Sequence, residues 1–220
     1  MRYSDAPGAK VYNGGAERLS DVRGEVVELA DAAPAGAKGK AFAASGFGSA
    51  GSRSKAQAAA AAEAASSLVA SLPAGTAIAF TDGGCKGNPG PAGSGVRLEL
   101  PDGRVAEASR ALGVATNNVA ELTAVGIALE LLAEAGLPPD APVALLSDSQ
   151  YAHGVLQKGW KAKANAELIA DLRTRLKARP GVVFHWVAGH AGVAGNERAD
   201  ALATDGVSGR TAVRWTPAPG

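Results

Sequence analysis

Four carboxylate residues are the groups in this chain best suited to chemistry, because each occupies a distinctive local sequence. The four segments are AFTDGGCKGNPGPAGSG (79–95), TNNVAELTAV (116–125), ALLSDSQYAHG (144–154) and GHAGVAGNERADALA (189–203), and the acids in them are Asp82, Glu121, Asp148 and Asp200. Clustered carboxylates repel one another and are costly to desolvate, so a fold that gathers them usually holds hard cations. Two such cations are suited to the hydrolysis of a phosphodiester.

Each acid taken alone has a simpler explanation. An Asp that follows a strand, such as Asp148, is more often a turn residue or a helix cap. Glu121 lies in the first turn of a predicted helix, where it could complement the helix dipole or complete a capping box. Asp200 could be an ordinary solvent-exposed helix residue. Only the occurrence of all four together favours a metal site.

The hydrophobic pattern predicts the elements that position these acids. Predicted strands span 76–82, 94–100, 104–112, 142–147 and 181–189, with a hairpin signal at Asp102-Gly103. Predicted helices span 117–135, 149–157, 165–178 and a segment from Asn196, and Asn117 or Asn118 is the expected cap of the first. This order predicts an α/β fold in which helices flank a mixed five-stranded sheet, three strands antiparallel and two parallel.

The composition changes near Pro73, which divides the chain into three parts. Residues 1–73 are rich in Ala, Gly and Ser, and we expect a flexible extension with an Ala-rich helix at 54–72. Residues 74–207 carry the strands, the helices and all four acids. Residues 208–220 are expected to form an irregular tail.

Charge and cysteine content restrict the class of protein. The net charge is +1, so no global basic field indicates a nucleic-acid partner. Cys85 is the one cysteine, which excludes an intramolecular disulfide framework and suits a reducing compartment. The sequence shows neither a secretory signal nor a membrane span, so we expect a soluble cytoplasmic protein.

Four motifs in this order, TDGGCKGNPGPAGSG, TNNVAEL, LLSDSQYAHGV and VAGHAGVAGNERADALA, resemble those of type 1 ribonuclease H over about residues 76–206. The resemblance implies a ribonuclease H-like fold and endonucleolytic cleavage of the RNA strand of an RNA–DNA hybrid, leaving 5′-phosphate and 3′-hydroxyl ends. It also implies that Asp82, Glu121, Asp148 and Asp200 hold two Mg²⁺ ions, with Mn²⁺ as a substitute. His190 matches a mobile histidine that shuttles a proton or aids product release.

The resemblance further implies which residues contact the hybrid. Those implied to read the 2′-hydroxyls of the RNA are the backbone of Gly84, Cys85 and Gly87 and the side chain of Asn88. Asn118 and Asn165 are implied to contact the hybrid as well, and Thr116 and Asn117 the DNA strand. Two roles remain open for Trp160: it stacks on the sugars of the DNA strand, or it packs at a helix junction.

One departure from the family concerns the basic helical protrusion that many bacterial members carry. Here only Lys158, Lys161 and Lys163 cluster about Trp160, which indicates a shortened or absent protrusion and a modest, salt-sensitive affinity. A polymerase-associated ribonuclease domain is one alternative, disfavoured because the chain is short. A non-catalytic hybrid-binding module is the other. We expect a monomer with no obligatory protein partner.

Overall fold

The computed structural model describes residues 55–189 and 193–218. All of them belong to one of the chain's two compact units, residues 50–220, and the other unit, residues 1–49, lies outside the described part. In chain order the elements are α1 (Lys55–Ser71), β1 (Ala77–Cys85), β2 (Gly90–Glu99), β3 (Val105–Ala115), α2 (Asn117–Glu134), β4 (Val143–Ser147), α3 (Gln150–Leu156), α4 (Ala166–Lys177), β5 (Val182–Trp186), α5 (Ala194–Val207) and β6 (Ala212–Thr216).

The strands form one mixed sheet in the order β5-β4-β1-β2-β3-β6. The β1–β2 and β2–β3 pairs are antiparallel, whereas β4 pairs in parallel with both β1 and β5. The predicted α/β class, the antiparallel start and the parallel end are therefore confirmed. The parallel pairing makes β1 and β4 neighbours, so the residues that follow them come to the same edge of the sheet.

The predicted strand count was wrong, because the sheet has six strands instead of five. Residues 212–216 form β6, which pairs antiparallel with β3, so this part of the tail is not irregular. Trp215 fixes the strand at its far end. Its Nε1 donates a hydrogen bond to Glu134 Oε1 at 2.9 Å, and the Arg104 guanidinium lies 5.9 Å from its ring centroid.

Alternate residues of the central strands face two different hydrophobic clusters. Ala79 and Leu145 pack in the cluster that includes Leu122 and Leu132 of α2 and is completed by α4. The residues next to those two, Phe80 and Leu146, pack in a second cluster on the other face. Helix α2 has apolar side chains on nearly all sides and is buried along most of its length, as expected for a helix that lies between a sheet and other helices.

The Ala-rich helix predicted at 54–72 is present as α1. Ala65 is buried, and Leu68 and Val69 pack against the cluster that contains Phe80 and Leu146. Helix α1 therefore contributes to the core of the second face. The expected flexibility of residues 1–54 lies outside the described residues, and the boundary at residue 73 stays a prediction. No helix of the described part combines the length and the hydropathy that a membrane crossing requires.

Two glycines let helices approach the sheet more closely than any side chain would allow. A Cβ atom at Gly83 would overlap the backbone nitrogen of Glu121 in α2, and one at Gly95 would overlap the backbone oxygen of Ala199 in α5. Each helix carries one of the four acids at its contact: Glu121 itself in α2, and Asp200, which follows Ala199, in α5. Close approach of the backbones is thus what brings acids from opposite faces to one edge of the sheet.

Gly83→Ala is expected to destabilise the protein by about 3 kcal/mol, because the added methyl group must displace the backbone of α2. The matched control is Gly84→Ala, whose Cβ would lie an ordinary 3.7 Å from Val207 Cγ2. Urea unfolding of both variants measures the difference. Equal stabilities for the two variants would contradict the close-approach argument.

Candidate active site

Asp82 is placed by the register of β1 and β2. It pairs with Gly95 across the antiparallel ladder, so the two residues share a face of the sheet. Gly95 abuts the backbone of α5, so Asp82 also faces that helix. Asp200 lies on α5, and its carboxylate raises the pKa of Asp82 by its charge and by accepting a hydrogen bond from the protonated Asp82 carboxyl. The first and last of the four acids are therefore neighbours.

Glu121 is a buried acid and not part of a helix cap. The cap of α2 is Thr116, whose Oγ1 accepts a hydrogen bond from Val119 N at 3.3 Å, so the expectation of Asn117 or Asn118 as the cap was wrong. The capping-box position is consequently Val119. Glu121 is 6% exposed, and its Oε2 lacks a hydrogen-bond partner in the described part of the chain.

Asp148 directly follows β4 and also has no capping role. Ser149 caps α3, with its Oγ accepting a hydrogen bond from Ala152 N at 3.1 Å. Thr81 of β1 pairs in parallel with Ser147 of β4, so Asp82 and Asp148 are the next residues along the two neighbouring segments. The two carboxylates lie close together, as the sequence predicted. The prediction that Asp82 ends its strand was wrong, because β1 continues to Cys85.

The structure brings all four predicted acids to one cavity of about 230 Å³. Carboxylate oxygens of Asp82, Glu121 and Asp148 lie within 4.8 Å of one another and could hold a metal ion. Asp200 lines the same cavity from α5. Carboxylate oxygens are the ligands that hard divalent cations prefer, so the donor set fits Mg²⁺ or Mn²⁺.

The electrostatics of the cavity fit a cation as well. Burial, followed by the charges of Asp148 and Asp200, raises the pKa of Asp82 to about 8, and the Gly83 N–H offsets only part of this rise. Burial and then the charges of Asp82 and Asp148 raise the pKa of Glu121 well above its usual value, against a hydrogen bond from the Asn117 side chain. A bound cation would favour the ionised form of both groups.

Most of the predicted hybrid contacts lie in one patch beside this cavity, which we call the loop patch. Asn88 Oδ1 accepts a hydrogen bond from Asn117 N at 3.2 Å, which fastens the β1–β2 connection to the start of α2. The Cys85 thiol contacts Gly87 O within the same turn, and burial raises its pKa. The residues of the loop patch are Gly84, Cys85, Gly87, Asn88, Thr116, Asn117 and Asn118.

Trp160 and Asn165 are not among the residues that line the cavity. Trp160 both packs and remains 49% exposed: its ring lies against Gly154, and its backbone N–H donates a hydrogen bond to Gly154 O at 3.0 Å. Asn165 precedes α4 with a φ of 61° and makes no side-chain capping bond. His190, the predicted mobile histidine, lies outside the described residues.

Sequence reasoning missed an ion-pair network that fixes α5 on the sheet. Arg198 donates to both carboxylate oxygens of Glu107 on β3, at 2.9 and 2.6 Å, and Arg97 donates to the same carboxylate at 2.8 Å. These bonds lower the pKa of Glu107, and the hydrogen bond from Arg198 has the largest effect. Arg198 is two residues from Asp200, so this network sets where Asp200 lies relative to Asp82. Nothing in the local sequence connects residues 107 and 198.

Glu107→Gln is expected to destabilise the protein by about 2 kcal/mol, because two arginines lose a partly buried anionic partner. Glu99→Gln is the control, since Glu99 is more exposed and bonds only to Arg97. Urea unfolding compares the variants. A loss for Glu107→Gln no larger than that of the control would contradict the role given to the network.

Asp82→Asn is expected to stabilise the metal-free protein by at least about 2 kcal/mol at pH 8. The folded-state pKa of Asp82 lies above its unfolded value, so the wild type loses stability as pH rises from about 4 through about 8. A neutral Asn avoids this loss, and the difference should vanish below pH 4. Urea unfolding in EDTA measures it, with exposed Asp140→Asn as the control. A variant less stable than wild type at pH 8 would refute the expectation.

Comparison with known proteins agrees with this geometry. A sequence model of the RNase H family matches residues 75–208. A ribonuclease H from Roseobacter denitrificans is 44% identical over 148 residues, which cover 60% of this chain and 95% of the relative. The structure of LC11-RNase H1, isolated from compost by a metagenomic approach, is 34% identical with a TM-score of 0.55, covering 61% of this chain and 97% of that one.

A second structure of LC11-RNase H1 is a complex with an RNA/DNA hybrid. It is 33% identical to this chain with a TM-score of 0.54, and the match covers 61% of this chain and 98% of that one. The family match spans more than half of the sequence and includes all four acids. The chain therefore belongs to the ribonuclease H family of nucleases.

Proposed function

We propose that this protein is an endonuclease that hydrolyses the RNA strand of RNA–DNA hybrids. The observation that carries the proposal is the convergence of Asp82, Glu121, Asp148 and Asp200 on one cavity beside the loop patch. The similarity to LC11-RNase H1, a protein that binds an RNA/DNA hybrid, supports the choice of substrate. All four acids come from one chain, so the proposed site needs no second subunit.

The four carboxylates would hold two divalent cations, Mg²⁺ with Mn²⁺ as a substitute. Such cations would supply activation of the attacking water and stabilisation of the departing 3′ oxygen, the chemistry that yields 5′-phosphate and 3′-hydroxyl ends. Asp82 approaches from β1, Asp148 from the end of the adjacent β4, Glu121 from α2 and Asp200 from α5. Because these elements are fixed by packing, the carboxylates are positioned before substrate arrives. His190 moves a proton or aids product release.

The loop patch contacts the minor groove of the hybrid. Its groups are small and polar, backbone N–H and C=O groups and side-chain amides, which suits recognition of 2′-hydroxyls and sugar–phosphate rather than base edges. Trp160 and Asn165 extend the contact beyond the cavity, and the exposed lysines Lys158 and Lys161 supply positive charge beside Trp160. Binding therefore depends on salt.

A non-catalytic hybrid-binding module is the alternative function. Such a module has no need of buried carboxyl groups, whereas here burial raises the pKa of both Asp82 and Glu121. Pure binding of an anionic duplex would also be weakened by four acids in one cavity. Both points favour the enzyme.

The experiment is cleavage of a hybrid labelled on its RNA strand, compared with double-stranded RNA and DNA, in Mg²⁺ or in EDTA. We expect Mg²⁺-dependent cutting of the hybrid's RNA only, and a loss of about 10³-fold or more in Asp82→Asn. Asp140→Asn, which changes an exposed acid in the connection between α2 and β4 and outside the four motifs, should cut as the wild type does. An intact hybrid with a folded protein and either cation would refute the enzyme and leave the binding module.

A further inference from the structure

Among the described residues, three buried side-chain atoms lack a hydrogen-bond partner: Thr76 Oγ1, Glu121 Oε2 and Asn196 Oδ1. Glu121 and Asn196 both line the carboxylate cavity, whereas Thr76 does not. An unpaired buried oxygen costs roughly 1–3 kcal/mol, so it calls for a physical explanation. Glu121 has one already, since it is a proposed metal ligand. Asn196 has none.

The position of Asn196 excludes one structural role for its amide oxygen, that of capping α5. The residue is the third of α5, and its backbone N–H already donates to Val193 O at 2.9 Å. The cap of α5 is Val193, so Asn196 is not the capping side chain. Asn196 is only 7% exposed, so water does not solvate the amide freely. It precedes Asp200 by four residues, one helical turn, which puts both side chains on the same face of α5.

We propose that Asn196 Oδ1 is a neutral oxygen ligand of the cations held by the four carboxylates, on the side of the cavity formed by Asp200. The inference rests on the proposed metal site. Amide oxygens are ordinary ligands of hard divalent cations. The unpaired oxygen gains a partner only when a cation is bound, which gives the residue a reason to be buried and unsatisfied in the protein alone.

The type of residue also fits the electrostatics of the site. Asp82, Asp148 and Asp200 already repel one another in a partly desolvated cavity. A fifth carboxylate at residue 196 would increase that repulsion whenever the cation is absent. An amide supplies the oxygen without the charge. Glu197, the acid next to Asn196, also lines the cavity, but its side chain is exposed.

The test measures cation binding to the full-length protein in the absence of nucleic acid. Isothermal titration calorimetry with Mg²⁺, and separately with Ca²⁺, is carried out on wild type and Asn196→Ala. We expect binding about tenfold weaker in Asn196→Ala and a smaller rise of Tm on adding cation. Without cation its Tm should equal or exceed that of the wild type, because the substitution removes an unpaired buried oxygen.

Two further variants make the result specific. Thr204→Ala is the matched control, since Thr204 also lines the cavity, one turn after Asp200 on the same helix, but has an exposed side chain. It should bind cation as the wild type does. Asn196→Asp keeps an oxygen at the site, and its cation affinity should be at least that of the wild type. It also replaces Asn196→Ala as the decisive variant if the alanine protein does not fold.

The outcomes separate this inference from the proposed function. If Asn196→Ala binds cation as tightly as wild type and only its KM for the hybrid rises, the amide contacts nucleic acid and the inference is wrong. Weaker cation binding by Asn196→Asp than by the wild type would overturn it too. If the wild type itself binds no cation, the proposed metal site fails and the inference fails with it.

Discussion

Mutual repulsion among carboxylates in a small, partly desolvated cavity is the constraint on which the rest of the site depends. The charges of Asp148 and Asp200 add to burial in raising the pKa of Asp82, and Glu121 lies beside these acids almost fully buried. Burial and like charge outweigh the hydrogen bonds from the Gly83 N–H and the Asn117 side chain at Asp82 and Glu121, so the folded protein without cations is under electrostatic strain. A bound cation relieves this strain, so the strain increases the affinity of the site for divalent cations.

Holding such a cluster requires rigid elements that cannot relax apart. Gly83 and Gly95 let α2 and α5 press against opposite faces of the central strands, so the acids they carry converge on one edge. The ion pairs between Arg198 and Glu107 then prevent α5 from sliding on β3. The repulsion is thus opposed by hydrophobic burial on both faces of the sheet and by a charge network outside the cavity.

The sequence was sufficient for the central sheet and the four acids, because strand ends and helix starts carry local signals. It was insufficient wherever distant residues decide the outcome. Strand β6 forms because β3 offers an edge and Glu134 and Arg104 hold Trp215, which no local pattern near residue 215 reveals. Thr116 and its two following asparagines are all good caps, and only the bond to Val119 distinguishes them. The unpaired oxygen of Asn196 likewise becomes visible only once burial is known.

The central claim is that the four carboxylates form a site for two divalent cations. Anomalous diffraction from crystals of the protein grown with Mn²⁺ and an RNA–DNA hybrid tests it most directly. The account predicts two anomalous peaks inside the cavity, about 4 Å apart, each touching carboxylates of the set Asp82, Glu121, Asp148 and Asp200. The claim would be contradicted if the hybrid is bound at the cavity at full occupancy and no anomalous peak lies among these carboxylates.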